Sequence, residues 1–398
     1  MQPLGLVLTF LCTPLSTVTL AIAYPKALIG AIWIPLTSVV GPIIWFFAWL
    51  QVVIVEASLR VAGGALEIGV VPLPIAIALL ASIIGCIVLP SRPLRVTSLL
   101  AACALIASVM LMRQIEVPPR LEITTLAVGD GSAYAIQSGP TLVLFDGGSS
   151  SFGGVAGSAL LPFIARHGGV VDAIVISHPN LDHYSALLDV LRFTDVRTLF
   201  VHPTFIAART RMPAVDVLLR GAEERGTEIR TITAGDTLTF PDMRLWVLWP
   251  DARFRTSREN DYSIVTMLVH DCGARVLLSG DIETEPAARL TTRARRGEID
   301  LSCHIAELPH HGSFREAVVE YLAIASPKLV LQSTAERRFA NDRFAGSLPG
   351  VRLVTCRDGT VRVTADADGS LHISLWDDDA RGTTLSGWRP AGVIDLSH

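Results

Sequence analysis

The first 112 residues hold only six charged side chains, Lys26, Glu56, Arg60, Glu67, Arg92 and Arg95, and this scarcity restricts the fold more than any motif does. Four apolar runs fill the stretch, at about 4–23, 28–55, 70–89 and 96–112. About 20 apolar residues cross a bilayer core, so residues 1–112 read as an all-α transmembrane helix bundle of about four spans. The second run is overlong and interrupted by Pro35 and Gly41-Pro42. It reads either as one tilted, kinked helix or as two half-helices whose freed backbone groups are satisfied by neighbours. A secretory signal followed by soluble helices fits poorly. Such a signal opens on a basic stretch, whereas residues 1–24 carry no charge. An uncharged start inside an apolar run suggests further helices upstream.

Loop charges suggest an orientation. If 28–55 crosses once, Lys26, Arg92 and Arg95 share one side and the 56–69 loop lies opposite. The positive-inside rule puts the basic side in the cytoplasm, so the remainder of the chain is expected outside it, held to a plasma membrane by several passes.

Residues 113–398 differ in kind. They carry 29 basic and 35 acidic side chains, a net charge of −6, and are long enough to bury a sizeable core. The mean hydropathy of +0.47 averages these two populations. Six scattered cysteines without a CxxC pair support neither a disulfide framework nor a zinc finger. The segments Arg209/Arg211, Arg253/Arg255/Arg258 and Arg293/Arg295/Arg296 offer phosphate contacts, although most charge runs are solvated faces.

From residue 121 short strands alternate with glycine-rich turns: LEITTLAV (121–128), SAYAIQS (132–138) and TLVLFD (141–146) read as a meander. Helices are expected at 157–167, 184–193, near 213–225 and at about 284–296, and SIVTMLVH and ARVLLSGD bracket a hairpin at Asp271-Cys272-Gly273. Two sheets covered by helices accommodate this order. The segment after Trp376 has no periodicity and reads as a mobile tail, giving domains at 1–112, 113–378 and 379–398.

The chemical signal is Ser177-His178-Pro179-Asn180-Leu181-Asp182-His183, a polar run directly after the apolar strand AIVIS. Side chains at strand C-terminal ends converge on a crevice, and His178, Asp182 and His183 offer ligands suited to Zn²⁺ or Mn²⁺. Alone, the run also admits a helix N-cap with Asp182 capping and the histidines merely polar. Three further strands end in similar residues: Asp146-Gly147-Gly148, Gly280-Asp281 after ARVLLS, and His310-His311-Gly312-Ser313 after IAELP. A strand-end Asp-Gly is usually just a turn; four such ends in one order are less ordinary.

This ordered set resembles the metallo-β-lactamase superfamily, and more closely the C-terminal domain of ComEC-type competence DNA-uptake proteins. The family's DVGQGD-like opening, LIDGG strand, SHxDxDH or SHxHxDH loop, LLTGD strand and HHGS turn correspond to AVGDGS (127–132), LFDGG, SHPNLDH, LLSGD and PHHGS. Asn260-Asp261-Tyr262-Ser263 resembles the family's Asn-x-x-Ser approach to the hairpin, and the apolar N-terminus looks like the end of its membrane channel domain.

The resemblance implies an α/β, metallo-β-lactamase αββα sandwich preceded by the transmembrane bundle, in a bacterial inner membrane. It implies two divalent ions, Zn²⁺ or Mn²⁺, at a site of His178, Asn180, Asp182, His183, Asp281 and His311. His178 would take the first ion and Asp182, His183 and His311 the second, with Asp281 bridging. Asp182 and His310 are the catalytic candidates, His310 by touching a phosphate or shuttling protons. Asp146 would orient the loop from outside the ligand set. Ser313 would donate to an anion or simply cap a helix, and His202 would either assist the first ion or be an ordinary strand-end residue.

Three departures stand out: Asn180 is neutral where the family has a carboxylate or His, Ala127 replaces the opening Asp, and the family's Asn-x-Tyr-x-His-Pro segment is missing after VLQST. A weak first site is the consequence of Asn180. The implied activity is a nuclease or other phosphodiesterase acting on DNA, single-stranded or duplex, during uptake, alongside other DNA-uptake proteins. Two alternatives stand beside it: a phosphodiesterase for a lipid or wall polymer, and a non-catalytic DNA-binding or assembly module beside a channel.

Overall fold

The computed structural model describes residues 3–30, 35–59, 73–114, 119–366, 370–377 and 387–396. The chain divides into two compact units, Met1–Glu116 and Val117–His398.

The first unit is helical: α1 (Pro3–Gly30) packs on α2 (Pro35–Leu59), and α3 (Leu73–Val88) packs on α4 (Arg92–Gln114). The overlong run therefore enters at the end of α1 and continues as α2, with Pro42 inside one helix. Gln51 ties the first pair. Its Oε1 accepts from Ser16 Oγ at 2.7 Å and its Nε2 donates to Thr19 Oγ1 at 3.1 Å.

Among the described residues no helix is long and apolar enough to cross a membrane, which departs from the expected four spans. At 16 residues α3 is short of the roughly 20 that a span requires. α4 opens on Arg92 and Arg95, and the side chains of 3–11 and 28–39 lie outside the described ones. Residues 60–69 of the 56–69 stretch used for orientation also lie outside the described residues. The helix surfaces are nonetheless apolar: Trp45, Phe46, Trp49 and Val52 of α2 are exposed, as are Ile77, Leu80, Ile84 and Ile87 of α3 and Leu94, Leu99 and Leu100 of α4.

The second unit contains two sheets. One has β1 (Leu121–Thr125), β2 (Tyr134–Ser138), β3 (Thr141–Phe145), β4 (Val170–Ile176), β5 (Asp195–Val201) and β6 (Glu228–Thr231). Late strands extend it: β14 (Val361–Ala365), β15 (Leu371–Asp377) and β16 (Gly387–Ile394), in the order β16-β15-β14-β1-β2-β3-β4-β5-β6. The other sheet has β7 (Thr237–Thr239), β8 (Met243–Trp249), β9 (Val265–His270), β10 (Arg275–Leu278), β11 (Ile305–Glu307), β12 (Leu329–Gln332) and β13 (Val351–Val354), in sequence order across the sheet.

Strand side chains alternate between two dry faces. Val143, Phe145, Ala173 and Val175 meet Leu268, Val276, Leu278 and Leu331 in the core between the sheets. Leu142, Leu144, Ile174 and Ile176 face outward onto α5 (Leu161–Arg166), α7 (Leu187–Phe193) and α9 (Pro213–Glu224). Met267, Leu277, Ala306 and Val330 pack likewise against α10 (Thr284–Arg295) and α11 (Glu316–Ala325). Sheets buried on both faces need apolar residues at every position, which is why AIVIS and ARVLL read as unbroken runs. The result is the expected αββα layering.

Two expectations change. The helix foreseen at 184–193 is divided into α6 (Leu181–Tyr184) and α7. The stretch foreseen as a mobile tail supplies β16, which pairs antiparallel with β15 from Trp376↔Trp388 to Leu371↔Ile394. Pro390 is tolerated there because an edge strand leaves one row of N–H groups unused.

Candidate metal centre

Within each sheet the strands that carry the polar ends run parallel, β3 with β4 and β10 with β11. Their C-terminal ends bring Asp146, the 177–183 loop, Asp281 and the two histidines to one place. One ligand atom from each of Asp182, His183, Asp281 and His311 lies within 4.8 Å of the others, and all four residues are buried. His183 Nε2 is 3.1 Å from Asp281 Oδ1, and His311 Nε2 is 3.4 Å from Asp182 Oδ2 and 3.6 Å from Asp281 Oδ1.

The far side of each imidazole is held. Asp146 Oδ2 lies 2.7 Å from His183 Nδ1, and Asp146 Oδ1 accepts from Ser177 N at 2.7 Å. The Ser333 carbonyl lies 3.1 Å from His311 Nδ1. With Nδ1 engaged, Nε2 is left for the cluster, the usual division of labour in a ligating histidine. His178 Nε2, Asp182 Oδ1, His183 Nε2 and His311 Nε2 are buried without a hydrogen bond. Most buried polar atoms in a folded protein have a partner, and four orphans gathered at one place form a donor set of imidazole nitrogen and carboxylate oxygen that fits a divalent cation.

Backbone geometry supports the same reading. Asp146, His310 and His311 all adopt positive φ, at 60°, 52° and 53°. Such positions cost about 1–3 kcal/mol each and concentrate where function holds them. Gly148 is required by packing: a Cβ there would sit 2.6 Å from Leu181 O and Tyr184 N, so glycine lets the first turn of α6 close on the site.

Electrostatics follow from burial among opposite charges. Burial alone would raise the Asp281 carboxyl, but the neighbouring His183 and His311 hold it well below its ordinary value. Burial would lower His183, yet Asp281 and Asp146 lift it well above. At His178 burial, followed by the His183 charge, outweighs Asp281 and Asp182 and pushes it down to about 3, a neutral imidazole at any physiological pH.

Other sequence candidates fall outside the four-residue group. His178 stands beside it, its ring 4.3 Å from that of His183 and its Nδ1 3.0 Å from Ser177 Oγ. Asn180 is exposed at the N-cap position of α6. His202 caps α8 (Pro203–Ala208), accepting from Thr204 N at 3.3 Å, and stacks on Tyr262. Ser313 accepts from Arg338 Nη1 at 3.3 Å, and Arg315, rather than Ser313, caps α11. His310 stands at the rim, its Nε2 3.7 Å from Asp281 Oδ2.

Glu307 was not foreseen. Its Oε2 accepts from Ser279 N at 2.7 Å and Gly280 N at 2.9 Å, so it holds the turn that presents Asp281. The only hint in the sequence is a carboxylate inside the apolar run IAEL. Burial, then the Asp146 charge, raise it to about 7 from 4.5. The folded protein thus holds this proton more tightly than the unfolded chain. Its stabilising contribution is full below about pH 4.5 and fades as pH rises through about 7. In chelator-treated protein, Glu307→Gln should keep the turn and abolish this loss, about 3 kcal/mol in size. Melting temperatures at pH 5 and pH 8 check it: the variant should gain at pH 8 only.

Residues 126–257 match the metallo-β-lactamase superfamily. ComE operon protein 3 of Bacillus subtilis (strain 168) is 23% identical over 240 residues, covering 60% of this chain and 29% of that protein. Recombination protein 2 of Haemophilus influenzae is 29% identical over 217 residues, covering 54% of this chain and 24% of that protein. The chain thus aligns with under a third of each relative's length. A solved metallo-β-lactamase fold protein, YhfI of Bacillus subtilis, shares 12% identity with a TM-score of 0.40, covering 59% of this chain and 96% of that one. The ComEC-type resemblance read from the motifs is borne out by these relatives, and the superfamily match with the buried His/Asp cluster supports a metal-dependent hydrolase.

Proposed function

With a metallo-β-lactamase domain in a ComEC-like chain as the premise, we propose a membrane-anchored, metal-dependent phosphodiesterase that cleaves a DNA strand during uptake. The observation that carries this reading is the set of unsatisfied buried nitrogen and oxygen atoms converging at Asp281. Asp182, His183, Asp281 and His311 would hold divalent metal, with His178 beside them. Such ions supply Lewis acidity to a phosphodiester and make water a nucleophile at neutral pH.

The chain's own residues do the rest. Asp146 and the Ser333 carbonyl fix the rings of His183 and His311. Glu307 and Ser263 Oγ, which accepts from Asp281 N at 3.0 Å, fix the Asp281 carboxylate. His310, less buried than the cluster, is placed to meet a substrate oxygen and move a proton at Nε2. Exposed Asn180 leaves His178 as this loop's sole donor for the first ion, which favours a weak first site.

The apolar helix faces of the first unit support membrane anchoring, because exposed apolar patches of this extent mark membrane or protein contacts. The ComEC-type resemblance supports DNA as the substrate, and the loop charges support placement outside the cytoplasm.

The test is cleavage. The full chain, extracted from membranes with detergent, should cut a labelled single-stranded oligonucleotide when Mn²⁺ is supplied. Turnover of a lipid or wall phosphodiester without DNA cleavage would transfer the reading to that substrate. Metal binding without any hydrolysis would leave a binding module.

A further inference from the structure

At the rim, Glu283 gathers groups from three separate segments. Its Oε2 accepts from Arg315 Nη2 at 3.0 Å and Nε at 3.3 Å and pairs with Arg258 Nη1 at 3.5 Å. Its Oε1 lies 3.4 Å from Asn260 Nδ2 and 3.5 Å from His310 Nδ1. His310 in turn reaches Asp281, so Glu283 and His310 link the two guanidinium groups to the cluster. One carboxylate facing two guanidiniums leaves a net positive charge.

Burial separates the roles. The Glu283 side chain is 12% exposed, whereas Arg315 is 36% and Arg258 64% exposed. The carboxylate is thus an internal strut and the guanidiniums face solvent. Ser257 and Glu259, on either side of Arg258, line a cleft of about 320 Å³ that reaches Pro179, next to His178. A chain-like substrate lying across the cluster has room to continue there. A substrate with one phosphodiester would leave this charge unused; a strand has a further phosphate on each side.

We propose that Arg258 and Arg315 clamp a phosphate neighbouring the scissile one, with Glu283 as the positioning residue. This rests on the phosphodiesterase reading and narrows its substrate to a polyanionic strand. Guanidinium suits the task because its fork of donors matches two phosphate oxygens at once.

The experiment measures binding of a fluorescent oligothymidylate to the full chain, with chelator present, across a salt series. Each phosphate contact to a single strand contributes about 0.7 to the slope of log affinity against log salt. Arg258→Ala and Arg315→Ala should each flatten that slope by about this amount, and Arg258→Lys should restore it. Glu283→Ala should weaken binding although it removes a negative charge, since the strut is lost; a purely electrostatic rim would bind more tightly. Wild-type slopes in both arginine variants, or tighter binding by Glu283→Ala, would overturn the clamp. Hydrolysis of bis(p-nitrophenyl) phosphate with Mn²⁺, run on the wild type, tests the phosphodiesterase reading separately. If no diester is cleaved, that reading fails while the salt slopes still judge the clamp.

Discussion

Replacing Asp281 with alanine should strip most bound metal from the chain and lower strand cleavage roughly a thousandfold, about 4 kcal/mol of lost stabilisation. The size follows from where the carboxylate sits. Its Oδ1 is 3.1 Å from His183 Nε2 and 3.6 Å from His311 Nε2, and its Oδ2 faces His310 at 3.7 Å, so this one carboxylate meets three of the site's histidines. Metal ions contribute several kcal/mol of charge stabilisation to phosphoryl chemistry, and a site without this carboxylate would forfeit most of it. Metal analysis of purified variant and wild type checks the first half and an oligonucleotide assay the second. Asp281→Asn, which keeps the shape and loses the charge, should fall between the two.

Asp146→Ala should damage the fold as well as the site. Asp146 is fully buried and accepts from Ser177 N while contacting His183 Nδ1, both at 2.7 Å. Removing it strands a buried N–H and a buried imidazole that burial would discharge but for Asp281 and Asp146. Breaking one partner of a buried pair costs about 3–5 kcal/mol, which should appear as a clear drop in the melting temperature of chelator-treated protein. Metal affinity should fall about 10- to 100-fold, as expected when the residue behind a ligating histidine is lost. In the double variant with His183→Ala the stability losses should be well below additive, because both changes remove one interaction.

Much of this was legible because the chemistry lies at strand ends. Apolar runs such as AIVIS and ARVLLS stop where the chain leaves the sheets, and the first polar residues after them, His178 and Asp281, are those the fold brings together. The two-sheet layering followed from the same alternation of runs and turns. Where reading failed, the missing information was tertiary. Glu307 looks like a misplaced charge until β10 and β11 pair and its carboxylate meets two backbone N–H groups. Glu283 gains meaning only when Arg258 and Arg315 arrive from distant segments. In β16, Gly387, Pro390 and Gly392 disguise an edge strand as a loose end, since its pairing depends on β15 rather than on its own pattern.

The central claim, that buried His and Asp residues hold metal for phosphodiester cleavage, is tested most directly by one titration. Chelator-stripped full chain is supplied with increasing Mn²⁺ while bound metal and cleavage of a single-stranded oligonucleotide are followed together. No cleavage is expected without metal, and the rate should climb with occupancy and continue to rise as the more weakly held ion beside His178 binds. Cleavage that persists without metal, or full occupancy with no cleavage, would contradict it.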